Sequence, residues 1–182
     1  MNAVVIDTNV ILTAKGMSEQ AWNECVTACQ ERLDEIIEGP ERVVIDDDWI
    51  ILREYINYLE DDDSTTDPRN GGSFLEWFIR NYENPEECVQ VSLTPSEHGT
   101  GFEELPGTFR GFDSDDKKFI AVAVVYEQVY QQQATLLQSV DSQWYGSRNL
   151  FIENGLRVEF ICEENIRDLH ERREKRRQSR TE

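Results

Sequence analysis

The sequence Ala3-Val4-Val5-Ile6-Asp7, close to the start of the chain, is the clearest indication of the fold. A short β-branched run that ends abruptly at a charged residue is typical of a strand buried on both faces of a parallel sheet. In such sheets ligands bind beyond the carboxyl ends of the strands. Asp7 is therefore the first residue to consider for a functional site.

The same alternation of short apolar runs and helical stretches continues along the chain. Further strands are predicted at residues 43–45, 88–93, 135–140 and 157–161. Helices are predicted at residues 18–38, from 46 or 47 to 59, and at 74–82, 115–133, 143–154 and from 163 onward. Strands separated by helices predict a three-layer α/β/α sandwich with a central, mostly parallel sheet of about five strands.

The length of 182 residues fits one ordinary domain, which we assign to residues 1–165, with a long acidic insert at about 60–111. Residues 166–182 form a charged, partly basic C-terminal helix or tail. No membrane contact is expected, because the longest apolar run has eight residues, at 119–126, where a span needs about 20. The start of the chain has no signal-peptide pattern. The four cysteines form no CxxC pair, so we expect reduced thiols in a cytoplasmic protein.

The formal charge is −19, and its distribution limits the kinds of partner. The first 165 residues hold 11 basic and 33 acidic side chains, a net charge of −22. A surface this negative repels polyphosphate at long range, which excludes a generic nucleic-acid binder and suits a site for cations or a protein partner. The C-terminal segment 166–182 differs, with seven basic residues against four acidic ones.

Several carboxylates stand where predicted strands end or helices begin. Asp7 and Asp141 follow the first and fourth predicted strands, and Glu54 lies two turns into the helix after the second. The predicted helix at 115–133 is apolar nearly all round over 119–125 and is therefore expected to be buried. Three aspartates stand at its start: Asp113, Asp115 and Asp116. Carboxylates that converge at one sheet edge repel each other unless divalent cations lie between them, and such oxygen ligands suit Mg²⁺ or Mn²⁺. Two such ions about 4 Å apart can support phosphodiester cleavage.

Four segments in this order give the chain a resemblance to the PIN-domain ribonucleases. They are Val4-Val-Ile-Asp7-Thr-Asn-Val-Ile, the stretch from Val43-Val-Ile to Leu52-Arg-Glu54-Tyr55, Asp113-Ser-Asp-Asp116-Lys-Lys-Phe-Ile-Ala, and Ser139-Val-Asp141-Ser-Gln-Trp144. The resemblance implies a PIN-like fold and a metal-dependent endoribonuclease, a hydrolase that uses Mg²⁺ or Mn²⁺ to cleave single-stranded RNA.

The resemblance also assigns residues to roles. The catalytic acids would be Asp7, Glu54, Asp116 and Asp141, and the metal ligands would be Asp7, Asp116, Asp141 and Asp113. Asn9 and Ser139 would hydrogen-bond the carboxylates and orient them. The distribution of charge, rather than the resemblance, suggests which basic residues would bind RNA, and a solvated helix end is the other interpretation of the tail; the residues are Lys117, Lys118, Arg172, Arg173 and Arg176.

Two of these assignments have alternatives. Asp113 can replace or assist Asp116, because either can head the buried helix. Residues 46–48, three consecutive aspartates, compete with Glu54 for the second acidic position, and helix capping is their other interpretation. The four tryptophans are predicted to belong to the core rather than to a surface that stacks on bases.

The sequence is also compatible with other functions. A catalytically inactive PIN-fold interaction module would dock onto a protein partner, or onto a second copy of the chain, through its acidic surface. A toxin of a toxin–antitoxin pair would be one cellular role for the ribonuclease. A hydrolytic triad is not expected, because His98 and His170 have no nucleophile at motif spacing.

Overall fold

A computed structural model describes residues 2–60, 72–97 and 99–179, without the side chains of 58–60, 72 and 73. Part of the predicted acidic insert, residues 61–71, lies outside the described residues, and so does His98.

The described chain contains one five-stranded sheet in the order β3-β2-β1-β4-β5, and every pairing in it is parallel. The strands are β1 (Ala3–Ile6), β2 (Arg42–Asp46), β3 (Cys88–Val91), β4 (Ala134–Gln138) and β5 (Arg157–Phe160). The predicted α/β fold is confirmed. Since β1 lies between β2 and β4, the residues after these three strands meet at the same edge.

The helices that flank the sheet are α1 (Thr8–Ala14), α2 (Asn23–Glu38), α3 (Ile50–Glu60), α4 (Gly72–Asn81), α5 (Lys117–Tyr130), α6 (Ser142–Gly146), α7 (Arg148–Glu153) and α8 (Glu163–Gln178). A single 3₁₀ turn lies at Gly107–Phe109 within the described part of the segment 94–111. None of the helices formed by the described residues is long and apolar enough to cross a membrane.

Near the start of the chain one predicted helix has the wrong boundary, and one further helix was not predicted. The predicted helix at 18–38 begins at Asn23, because the backbone N–H of Trp22 at its N-cap is bound by the side chain of Asn165, 2.8 Å away in α8. The helix α1 was not predicted at all. It follows β1 directly because the carboxylate of Asp7 caps it by accepting from the backbone N–H of Asn9.

The core is centred on α5, which packs against β1, β2, β3 and β4. Residues 119–125 are buried, as their apolar pattern predicted, except that Val124 is only partly buried. Beside it, the ring of Trp144 stacks on Phe151 at 4.9 Å and meets Phe112 edge-on at 5.4 Å. This aromatic cluster fixes the start of α6 next to the start of α5.

The tryptophans do not all belong to the core as predicted. Trp144 is fully buried and Trp77 packs against the core, but Trp22 is 43% exposed and Trp49 is 49% exposed. Trp49 lies within the helix predicted from 46 or 47 to 59, but in the structure it precedes α3, where its backbone turns the side chain outward.

The cysteines also differ from the expectation of reduced thiols. Cys25 in α2 and Cys162 at the N-cap of α8 form a disulfide with their Cα atoms 5.3 Å apart. Cys29 remains a thiol, with its sulfur 3.8 Å from that of Cys162. Burial raises the pKa of the Cys29 thiol to about 12, so its nucleophilic thiolate is scarce at neutral pH.

Candidate active site

Asp7 occupies the centre of the edge where β1 and β4 end. Its side chain is 2% exposed, and its Oδ1 accepts a hydrogen bond of 2.8 Å from the backbone N–H of Asn9. Its Oδ2 is buried and receives no hydrogen bond from the described residues. A buried carboxylate oxygen without a donor is costly, so this atom is where the protein lacks a positive or proton-donating partner.

Asp116 and Asp141 are joined to each other through Trp144. The indole N–H of Trp144 donates to Oδ2 of Asp116 at 3.0 Å. Its backbone N–H donates to Oδ1 of Asp141 at 3.4 Å, and that of Gln143 donates to the same oxygen at 2.7 Å. Asp141 is thereby the N-cap of α6, while Asp116 stands at the N-cap of α5. One tryptophan therefore positions both carboxylates.

Glu54 reaches the same place from α3 but has different partners. The hydroxyl of Thr8 donates to its Oε1, and the ammonium of Lys118 lies 2.6 Å from its Oε2. Lys118 is 5% exposed and also donates to the backbone carbonyl of Asp115. Both oxygens of Glu54 are engaged, so it contributes to the site as an anchored charge rather than as an open ligand.

The pKa values of two aspartates show that the carboxylates repel one another. Burial raises the pKa of Asp7 well above its ordinary value; Asp116 adds to this, followed by Asp141 and Glu54, and only the Asn9 amide opposes it. Burial and then Asp141 raise the pKa of Asp116 to about 6, against the hydrogen bond from Trp144 and the charge of Lys118. The four predicted catalytic acids are thus brought into one electrostatic group.

Two adjoining cavities open onto this group. The larger, of about 620 Å³, is lined by Asp7, Glu54 and Asp116, and also by Asp115 and Arg53. The smaller, of about 330 Å³, is lined by Asp141 and Arg173. Asn9 borders both cavities, so a ligand that reaches from one to the other passes beside Asn9.

Asp113 and Asp116, the two candidates for the acid at the start of α5, lie in different surroundings. Asp113 is exposed, accepts a 3.0 Å hydrogen bond from the backbone N–H of Asp115, and does not line the cavity. It acts on the group only by raising the pKa of Asp116. Asp116 lines the cavity and is the better candidate, while the assignment of Asp113 as a metal ligand has no geometric support.

The aspartates at 46–48, the alternatives to Glu54, also differ from it in their contacts. Both oxygens of the buried Asp46 cap α3, because they accept from the backbone N–H groups of Ile50 at 2.7 Å and Ile51 at 2.9 Å. Asp47 is exposed and accepts from the hydroxyl of Ser92. The capping interpretation is confirmed for Asp46, and Glu54 is the acidic residue from this part of the described chain that lines the larger cavity.

The two predicted orienting residues act otherwise than expected. Asn9 holds Asp7 through its backbone N–H, while its side chain borders the cavities. Ser139 is fully buried, and its hydroxyl lies 3.0 Å from that of Thr13 rather than beside a carboxylate. Its predicted contact with a carboxylate was therefore wrong, since the hydroxyl points into the packing between β4 and α1.

The predicted RNA-binding residues separate into three groups. Lys117 and Lys118 are buried, contrary to the prediction: the ammonium of Lys117 donates to the carbonyls of Thr100 at 2.9 Å and Arg110 at 3.0 Å, and that of Lys118 is paired with Glu54. Both ammonium groups thus serve the protein's own polar groups. Arg172 forms an ion pair of 2.9 Å with Asp168, and Arg176 is exposed on α8 without lining either cavity.

Arg173 is the member of that set that the fold brings to the site. Its guanidinium donates to the hydroxyl of Ser142 at 2.9 Å, next to Asp141, and lines the smaller cavity. The packing of α8 against α6 places it there.

Sequence reasoning missed Thr8 as the partner of Glu54 and Trp144 as the link between two aspartates. Thr8 directly follows Asp7, so its position beside the strand end was a usable signal. No local pattern connects Trp144 with Asp116, because 28 residues separate them. Asp115 was noted at the head of the buried helix but was not assigned as a ligand.

The carboxylate oxygens of the site suit a hard divalent cation as ligands, although they are not gathered around one point. In Asp7, Asp116 and Asp141, one carboxylate oxygen accepts no hydrogen bond from the described residues, so it is available to a metal ion. Within the described chain, the sole group of three metal-ligating side chains with atoms mutually within 4.8 Å is Cys25, Cys29 and Cys162. The carboxylates would have to move together around one ion, or share two.

Comparisons with protein-family models, with curated proteins and with solved structures each found no match to this chain.

Proposed function

We propose that this protein is a metal-dependent endoribonuclease that cleaves single-stranded RNA at the carboxylate group of Asp7, Glu54, Asp116 and Asp141. The observation that carries the proposal is the buried Oδ2 of Asp7, which lacks a donor and faces the repulsion of three further carboxylates. A divalent cation relieves both costs at once. The sequence resemblance to PIN-domain ribonucleases, on the same four acids, supports it independently.

The residues that would hold Mg²⁺ or Mn²⁺ are Asp7, Asp116 and Asp141, because each keeps one carboxylate oxygen for which the described residues offer no donor. When bound, such ions lower the pKa of a water nucleophile and stabilise the leaving oxygen in phosphodiester hydrolysis.

The remaining residues position these ligands. Trp144 fixes Asp116 and Asp141 relative to each other through its indole and backbone N–H groups. Lys118 and Thr8 hold Glu54 at the cavity wall, where its charge adds to the field that attracts a cation. Because Lys118 neutralises part of this field, it lets four carboxylates be built into one site without any bound ion.

Arg173 supports RNA as the substrate. The body of the protein is strongly acidic, so a polyanion needs a local positive group near the site to approach it. The guanidinium of Arg173 lies in the cavity that adjoins Asp141, at the position where a phosphate next to the scissile bond would pass. We infer that α8 contributes to binding through this residue.

A titration of Mn²⁺ by calorimetry, together with cleavage of a labelled single-stranded RNA, tests the proposal. We expect Mn²⁺ to bind the unaltered protein and cleavage to require it. Asp7→Asn should lose both, while Asp113→Asn, an exposed aspartate outside the cavity, should keep both. Cleavage that persists in the Asp7→Asn variant after rigorous purification would show that the activity comes from elsewhere.

The second candidate function is an inactive PIN-fold interaction module that binds a protein partner, or another copy of the chain, through its acidic surface. One observation favours it: both oxygens of Glu54 are already taken by Thr8 and Lys118, as in a site that works without metal. Failure of millimolar Mn²⁺ to bind would favour this function over the first.

A cytoplasmic location is part of the first proposal, and one observation opposes it. The disulfide between Cys25 and Cys162 is more typical of oxidising compartments. Acid quenching of intact cells, followed by alkylation of the unfolded protein and mass measurement, tests this point, since four modified cysteines would show that the bond does not form there.

A further inference from the structure

We propose that Trp49 is a stacking platform for a base of single-stranded RNA, beside the carboxylate site on its β2 side. The inference rests on the proposed function and names the residue by which that site holds the nucleic acid strand. Three properties of Trp49 carry it: its exposure, its backbone conformation and its neighbours.

Trp49 is an exposed aromatic residue in a backbone conformation that such residues rarely adopt. Its side chain is 49% exposed, and its φ is 62°, in the left-handed region. Within the described chain the only other residue besides glycine with a positive φ is Gln131, at the C-cap of α5. For a bulky side chain this conformation is strained, and strain of this kind concentrates at functional sites.

The surroundings hold Trp49 in this conformation from both sides. The residues that follow Trp49 are held by Asp46, whose two carboxylate oxygens accept hydrogen bonds from the backbone N–H groups of Ile50 and Ile51. The guanidinium of Arg53 donates to the carbonyl of Trp49 at 3.1 Å and to that of Asp48 at 2.9 Å. These bonds fix where the indole ring is presented.

The backbone of Trp49 adjoins residues that line the candidate site. The next residue in the chain, Ile50, lines the larger cavity together with Asp7, and so does Arg53. The indole meets Tyr82 edge-on, with ring centroids 6.3 Å apart and planes at 86°. An edge contact steadies the ring while about half of the side chain stays open to solvent.

Stacking suits this protein because it needs no positive charge. The phosphates of RNA are repelled by the acidic body, and two of the five predicted phosphate-binding residues, Lys117 and Lys118, are buried. A base offers a flat, uncharged face, and base–aromatic stacking tolerates any sequence. Arg53 beside the indole adds a guanidinium that can pair with the same nucleotide. The site therefore holds RNA by its bases on the β2 side and by Arg173 on the β4 side.

The experiment measures binding of a fluorescently labelled eight-nucleotide RNA to the full chain by anisotropy, with EDTA present so that no cleavage occurs. Stacking of one base is worth about 1–3 kcal/mol, so Trp49→Ala should weaken binding about 5- to 150-fold. Trp49→Phe should retain most of the affinity. Tyr130→Ala is the matched control, because Tyr130 is 43% exposed and lies at the C-terminal end of α5, just before β4 and hence at the opposite edge of the sheet.

Trp49→Gly separates binding from structure. Glycine adopts a positive φ without strain, so this variant should be as stable as the unaltered protein or more stable, and yet bind RNA as weakly as Trp49→Ala. A residue with a merely structural role would not show this combination. Equal RNA affinity for the unaltered protein, Trp49→Ala and Tyr130→Ala would overturn the stacking role while leaving the proposed nuclease intact. If the unaltered protein bound RNA through Trp49 but showed no Mn²⁺-dependent cleavage, only the nuclease would be overturned. Absence of RNA binding by the unaltered protein in EDTA would overturn the stacking role, whereas absence of Mn²⁺-dependent cleavage would overturn the nuclease.

Discussion

Two buried aspartates follow adjacent parallel strands of the sheet. Asp7 comes directly after β1 and Asp46 is the last residue of β2. Their side chains are 2% and 0% exposed, and each accepts hydrogen bonds from the backbone at the start of the next helix. In the sequence both appear as an aspartate that ends an apolar run.

Their hydrogen bonds differ. Both carboxylate oxygens of Asp46 accept hydrogen bonds from the N-terminus of α3, which also favours a negative charge. Asp7 uses one oxygen on α1, and the other has no donor among the described residues and lies in the field of Asp116. A buried carboxylate therefore indicates function when its partners do not satisfy it, and structure when they do.

The largest expected effect is on activity and separates the two residues directly. Asp7→Asn should reduce Mn²⁺-dependent RNA cleavage by more than about 100-fold, a scale reached even by residues that only orient metal ligands. Without metal, the same variant should be more stable by on the order of 1 kcal/mol, because it removes a carboxylate whose pKa is held high. Cleavage assays and urea denaturation in EDTA measure the two effects. A variant that is both inactive and strongly destabilised would make Asp7 resemble Asp46.

The next effect is on stability. Asp46→Ala removes a cap with two hydrogen bonds and leaves two backbone N–H groups of α3 without their acceptor, so it should lower the free energy of unfolding by about 2 kcal/mol. Cleavage by the protein that remains folded should change little. Urea denaturation measures the loss. Asp48→Ala, at an exposed aspartate of the same turn, is the control and should cost less than about 0.5 kcal/mol. Equal losses in the two variants would contradict the capping role.

The dependence of stability on pH provides a third test, through Asp116. Its pKa is raised to about 6 in the folded protein from 3.8, so the folded state keeps a proton that the unfolded chain releases. The stabilising contribution is present below pH 4 and is lost as the pH rises through about 6. Asp116→Asn should therefore become progressively more stable, relative to the unaltered protein, between about pH 4 and 6.5. Parallel denaturation curves in EDTA at each pH measure this difference. A constant difference would show that burial and Asp141 do not raise the pKa of Asp116 in the folded protein.

The smallest effect concerns the periphery of the site. Arg173→Ala should raise KM for RNA by a few-fold and reduce the slope of log affinity against log salt by about one, because one phosphate contact is lost. The turnover number should stay the same, since the guanidinium of Arg173 contacts the hydroxyl of Ser142 rather than a metal-binding carboxylate. Arg176→Ala, on the same helix but outside the cavities, should leave KM and the salt slope unchanged. Identical kinetics for the two variants would leave α8 without a role in binding.

Local patterns of residues were enough to predict the α/β fold and to single out Asp7. Short β-branched runs and the apolar segment of α5 are such patterns, and their alternation requires a parallel sheet with helices packed on it. Because such sheets place their ligands at the carboxyl ends of strands, the order of residues singled out Asp7 and Asp141, whereas the choice of Asp116 rested on the resemblance to PIN-domain ribonucleases. The partners of these residues were beyond such patterns.

Which charged groups are satisfied depends on the tertiary structure. Lys118 looked like a surface cation, but the fold buries it against Glu54, and Ser139 looked like a partner of a carboxylate but lies against Thr13. Trp49 looked like a core residue and is exposed. Hydrogen bonds and burial depend on groups that meet from distant parts of the chain, and periodicity contains no information on those meetings. For that reason the difference between Asp7 and Asp46 arises only in the folded molecule.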